Sequence, residues 1–254
     1  MRRAVLFIAL TILTGSVFGQ DQALLGQHRL LGQSQKAEPG ITAHIHFLKR
    51  KQLKLTDDLS FVNIVFQKTQ AKYFRTYEQY APMEELLESG TYNCLSGTIL
   101  YALIYQSLGY NVAMYETRYH AFLILDVNDS SVLVESTDKV NGIVKGDAQI
   151  NIRIQNYLDK EKKQVAESSA IPLGSYKPIR SVTFKQLVGL LYLNKGVVNI
   201  NNGQLKPAIR DLLQAITLYP ESERIRDLLD ITSSQCDMFL FNGTAISTDD
   251  QKPK

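Results

Sequence analysis

The stretch YNCLSGTILYALIYQSLGY, residues 92–110, constrains the chain more than any other. From Asn93 to Gly109 it holds no charged residue, and Leu95, Ile99, Leu103 and Leu108 recur at near-helical spacing. That pattern predicts a helix with a buried side, closed by Gly109. One of the chain's two cysteines, Cys94, stands where the helix begins. A sulfur at the first turn lies near unpaired backbone N–H groups and the positive end of the helix dipole, and both stabilise a thiolate. A nucleophilic cysteine also needs a base within hydrogen-bond reach and a group that orients the base.

Both are offered downstream, where the periodicity shifts toward two. NVAMYET, YHAFLILDV and SVLVEST read as three strands, the last two joined around NDSS as a hairpin. His120 opens the middle strand and Glu135 ends the third, with Asp126 and Asp138 as alternative acids. A six-residue loop, Asp126 to Ser131, would put His120 directly across from Glu135 on one face. A two-residue turn would displace them by four positions, too far for a hydrogen bond. Phe122, Ile124, Val132 and Val134 make the surroundings apolar, which excludes water and strengthens charge pairing.

YNCLSGTILYALIYQSLGYNV, YHAFLIL and VLVESTD together resemble the transglutaminase-like superfamily, a rearranged relative of papain-like cysteine proteases. There a cysteine begins a helix, a histidine begins a following strand, and an acid ends the next. The resemblance, over residues 41 to 220, implies an α+β fold with a nucleophile helix packed on an antiparallel sheet. It implies catalytic roles for Cys94, His120 and Glu135 on a protein or peptide substrate, with no metal and no cofactor. Glu135 stands where the family has aspartate. The chain has no tryptophan, so the resemblance does not extend to cross-linking of the vertebrate kind. For the oxyanion, the Cys94 backbone N–H is one expected donor, and the Asn93 side chain or the Tyr92 hydroxyl a second.

MRRAVLFIALTILTGSVFG reads as a signal peptide: Arg2 and Arg3 precede a short apolar core, and cleavage after Gly19 would leave Gln20 first. An exported chain, periplasmic or secreted, is expected. Without Arg2 and Arg3 the 28 basic residues become 26 against 25 acidic, so nothing points to nucleic acid or a membrane surface. No second segment is long and apolar enough to span a bilayer. Residues 20–40 read as a loose lead-in, 41–178 as the transglutaminase-like domain, 179–240 as a helical extension and 241–254 as a disordered tail.

Asp57 or Asp58 starts a helix with Phe61, Ile64, Val65, Tyr73 and Tyr77 on its buried side, and Pro82 opens a short helix that Gly90 ends. Residues 141–177 have no clear period, and LDKEKKQVAESS reads as an exposed helix or loop. The pair LVGLLYLNKGVVNINNG and QLKPAIRDLLQAITLYPES resembles a tetratricopeptide repeat closed by Pro220. Gly196, Ala208, Leu212 and Ala215 would lie where its helices touch. In a non-catalytic alternative, Lys195, Asn199 and Arg210 would hold an acidic peptide or a partner's tail. Cys236 offers Cys94 a disulfide partner, the natural state of a paired count in an exported chain. His44 and His46 share a face at period two, with no further metal ligand nearby. Asn128 and Asn242 lie in glycosylation acceptor patterns.

Overall fold

The central helix α4 (Cys94–Ser107) is apolar on every side because other elements surround it. Twelve of its fourteen residues are buried, more than the single side expected from Leu95, Ile99 and Leu103. The computed structural model describes residues 38–167 and 178–246. The expected signal peptide and most of the lead-in lie outside them. No described helix is long and apolar enough to cross a membrane.

Before α4 come α1 (Glu38–Gln52), α2 (Asp58–Tyr73), strand β1 (Thr76–Tyr77), α3 (Met83–Glu88) and β2 (Thr91–Tyr92). The first helix begins at Glu38, so helical order starts ahead of the expected Ile41. His44 and His46 therefore do not share a strand face. His44 is buried against Thr69 and His46 is exposed. Asp57 caps α2 by accepting from Ser60 N–H. Tyr77 leaves the expected helix, because α2 ends at Tyr73 and β1 pairs in parallel with β2. Phe61, Val62, Val65 and Phe66 face α4, whose Tyr101 and Tyr105 hydroxyls donate to the carbonyls of Phe66 and Val62 at 3.0 and 2.8 Å. Two large rings thus enter the core with their polar ends bonded.

After α4 the chain forms β3 (Asn111–Glu116), β4 (Ala121–Val127), β5 (Ser130–Val134), β6 (Ile143–Lys145), helix α5 (Asp147–Glu167) and β7 (Arg180–Val182). The fold is α+β. Its sheet has five antiparallel strands in the order β6-β5-β4-β3-β7. Alternation splits the sheet into two faces. Leu123, Leu125, Val132 and Val134 turn toward α4 and the main core. Phe122 and Leu133 turn the other way and meet Ile150 of α5. The four apolar neighbours expected around the site therefore divide. Phe122 and Ile124 lie on the α5 face, and Val132 and Val134 lie on the opposite one.

The β4–β5 hairpin closes on two residues, Asn128 and Asp129, at φ +51° and +60°. This is the left-handed pair that matches strand twist, and Asn and Asp tolerate it. Of the two alternatives, the two-residue turn forms and the six-residue loop does not.

The remaining helices are α6 (Phe184–Asn201), α7 (Leu205–Leu218) and α8 (Glu223–Ile246). Ala208, Leu212 and Ala215 are buried at the α6–α7 contact. A Cβ on Gly196 would stand 2.9 Å from the Leu212 side chain, so a larger residue would push the axes apart. Leu187, Leu190 and Leu193 of α6 join the same core as α4 and the sheet. The last helix runs to Ile246, into the 241–254 stretch expected as a disordered tail.

Candidate active site

Two hydrogen bonds tie the first two turns of α4 to the ends of β4 and β5, beside the cap of α4 and a bond from α2. Asn93 caps the helix: its Oδ1 accepts from Ser96 N–H at 2.8 Å, and Ser96 Oγ accepts from Asn93 N–H at 3.0 Å. One turn on, Thr98 donates to the carbonyl of Ala121 at 3.0 Å, fixing the residue next to His120. Ser136 donates to the carbonyl of Cys94 at 3.3 Å, fixing the residue next to Glu135. Gln70 of α2 donates to the carbonyl of Ser136 at 2.7 Å. Helix α4 thus holds both strand ends by its own first two turns.

His120 and Glu135 meet: Nε2 and Oε2 are 2.6 Å apart. Continuing the ladder from Leu123↔Val134 puts Glu135 opposite Phe122 and Thr137 opposite His120. The displacement is two positions, not the four expected for a two-residue turn. The pair is the diagonal neighbour on one face, which long side chains reach. Glutamate's extra methylene, compared with aspartate, suits that diagonal span.

The acid is 2% exposed and the imidazole 18%. Glu135 Oε1 accepts from Thr137 N–H at 2.9 Å and from Thr137 Oγ1 at 2.6 Å, and Oε2 also accepts from the Tyr157 hydroxyl at 2.5 Å. Burial pushes this carboxyl up, but the His120 charge and these donors outweigh it and hold it at about 2. For His120, burial pushes the imidazole down. The Glu135 charge and hydrogen bonding with Cys94 and Glu135 prevail and raise it to about 10. With Nε2 on Glu135, Nδ1 is left to serve the thiol.

Cys94 is half-buried, and neither Cys94 nor Cys236 is in a disulfide. The Cys94–Cys236 disulfide, the alternative that a paired count offered, is not formed. Asp138 is engaged by Arg153 at 3.0 Å and by Asn141 N–H at 2.8 Å, and Asp126 is exposed on β4. Neither replaces Glu135. The Asn93 side chain does not supply the oxyanion donor, because both its amide hydrogens go to the carbonyls of Gln79 and Ala81, at 3.2 and 3.0 Å. Tyr92 is buried edge-on against Phe74. The Cys94 N–H remains. The carbonyl four residues earlier, on Gly90, accepts from Arg75 and Thr76 instead. Among the described residues no cluster of metal-binding side chains exists.

The sequence missed two tyrosines. Tyr77 is half-exposed, and burial together with the charges of Cys94 and Glu135 raises its hydroxyl to about 12, so it stays protonated. Tyr157 comes from α5, a stretch without a clear period, and borders a cleft of about 610 Å³ with Tyr119, His120, Glu135, Lys139 and Lys160. An apolar i, i+4 signal, Ile150 and Ile154, was present in α5 but diluted by charge.

No family model matches the chain, and neither the curated proteins nor the solved structures hold a match for it.

Proposed function

We propose that the chain is an exported cysteine enzyme of transglutaminase-like type that opens amide or peptide bonds. The observation that carries this reading is the 2.6 Å His120–Glu135 pair beside a cysteine at a capped helix start. A buried carboxylate on an imidazole, with a thiol on its other side, is the arrangement an activated sulfur nucleophile requires.

The sulfur of Cys94, as thiolate, attacks the carbonyl carbon, and the carbonyl π electrons move to oxygen. The Cys94 N–H stabilises that oxyanion. The oxyanion collapses, the C–N bond breaks, and His120 gives its proton to the leaving amine. A thioester on Cys94 remains. Water then attacks it, losing its proton to His120, and the acid departs with the thiolate restored. Glu135 stays ionised and holds the imidazolium. Water is the acceptor in this reading; transfer to an amine would follow the same steps with the amine in place of water.

The test is covalent capture with peptide vinyl sulfones of varied sequence, read by peptide mass spectrometry. Capture confined to Cys94, and lost in His120→Ala, supports the reading. Absence of capture by any of the probes, with the fold intact, removes it and leaves a partner-binding role for the Lys195 and Arg210 face of the helices.

A further inference from the structure

The imidazole–carboxylate bond rests on flanking residues: His120 precedes the first residue of β4 and Glu135 follows the last of β5. The backbone of Glu135 is held by one bond, N–H to the Gly142 carbonyl at 2.7 Å. Its carboxylate must be aimed by side chains. Thr137 occupies Oε1, which leaves Oε2 to His120 and one more donor.

We propose that Tyr157 is a positioning residue for this pair, its hydroxyl fixing the carboxylate oxygen that His120 uses and its ring covering the bond. The inference rests on the Cys94–His120–Glu135 reading. The Tyr157 hydroxyl and His120 Nε2 meet Glu135 Oε2 at 2.5 and 2.6 Å, and the Tyr157 ring centroid lies 4.5 Å from that of His120, tilted by 49°. The same ring lies 5.4 Å from Phe122. A half-exposed tyrosine can give its proton to water, and this one gives it to a carboxylate that is 2% exposed. Burial and the Glu135 charge push the Tyr157 hydroxyl far above its usual range, so it remains a donor wherever the protein is folded. Besides Tyr157, the titratable and charged groups around the pair are Cys94 from α4, Tyr77 from β1, Tyr92 from β2, Arg153, Lys160 and Glu161 from α5, and Asp138 and Lys139 from the turn after β5.

By sharing Oε2, Tyr157 draws charge from the carboxylate and limits how strongly Glu135 retains the proton on His120. It also restrains the carboxylate's rotation. The Tyr157→Phe variant keeps the ring and its packing and removes the donor alone. In the full-length chain, two readouts separate positioning from packing. The His120 ring titration, followed by NMR, should move up by about half a pH unit. The alkaline limb of Cys94 alkylation by iodoacetamide should move with it, and its rate at pH 7 should change by less than the loss in His120→Ala. An unchanged or lowered His120 titration in a folded Tyr157→Phe variant overturns the proposal and makes Tyr157 a packing residue. The NMR readout does not depend on reactivity at Cys94, so failure of the enzyme reading would appear separately, as an unreactive thiol with the titration still displaced.

Discussion

The two faces of the five-stranded sheet are built on different terms. Toward α4 the sheet buries a broad apolar surface continuous with α2 and α6, into which the Tyr101 and Tyr105 hydroxyls enter bonded to carbonyls. Toward α5 the apolar cluster is small, Phe122, Leu133 and Ile150, and beside it stand an imidazole, a carboxylate and a phenol. A buried carboxylate is tolerated only because four donors reach it. The first face supplies stability that the second does not. Fixed by α4 through Thr98 and Ser136, the second face can hold a charged pair in one geometry.

The comparison is broken most severely on the first face. Leu100→Ala removes a fully buried side chain and should cost about 2–5 kcal/mol in denaturant unfolding, whereas Ile150→Ala on the α5 face should cost about 2 kcal/mol or less. Equal losses would mean that the faces carry stability alike.

Gly97→Ala tests the seam between them. A Cβ there would stand 2.6 Å from Ser136 Oγ and 2.8 Å from the Phe74 ring, so the strand end carrying Glu135 must shift. If the proposed pair activates the thiol, alkylation of Cys94 should slow by roughly tenfold or more, because small displacements of an activating group are costly. An unchanged rate would show that the α4–Ser136 contact does not place the acid.

The pH dependence of stability sharpens the contrast further. His44 is held at about 4 by burial and then by the Lys72 charge, below its unfolded value near 6.5. The unfolded chain therefore binds the proton first, and stability falls as pH drops from about 6.5 to about 4. His120 is shifted the other way: its contribution is full below about 6.5 and is lost as pH rises toward about 10. Glu135, held low, contributes above its unfolded value near 4.5 and loses that contribution as pH falls toward about 2. Thermal melts of His44→Gln should flatten the first window alone, and those of His120→Ala the alkaline one.

The smallest effect is expected at the edge where the helices meet β3. Tyr219→Phe removes a 2.6 Å bond to Glu116, a buried acid that keeps Arg224 at 3.4 Å. Its cost should be about 1–2 kcal/mol by denaturant unfolding, with Cys94 labelling unchanged.

The sequence revealed the first face more readily than the second. A run without charge from Asn93 to Gly109 and the Gly196, Ala208, Leu212 contact are local patterns, and the chain folds as they suggest. His120 and Glu135 were visible as residues, but their meeting depends on a hairpin register that one turn decides. Asn128 and Asp129 are residues that accept positive φ, and that signal favoured the short turn over the long loop. The diagonal reach of glutamate then made the short turn compatible with the bond. Tyr157 was not legible, because its contact lies 22 residues from Glu135 and depends on how α5 docks. Asn93 was visible as a polar group at the right place, but a cap uses its acceptor and two carbonyls use its donors.

The most direct test of the central claim is alkylation of native, unreduced protein with limiting iodoacetamide across a pH series, read by peptide mass spectrometry. The account predicts labelling at Cys94 that persists near pH 6 in the wild type and falls by about a hundredfold at that pH in His120→Ala. A Cys94 that is labelled only after unfolding, or equally well with and without His120, would contradict it.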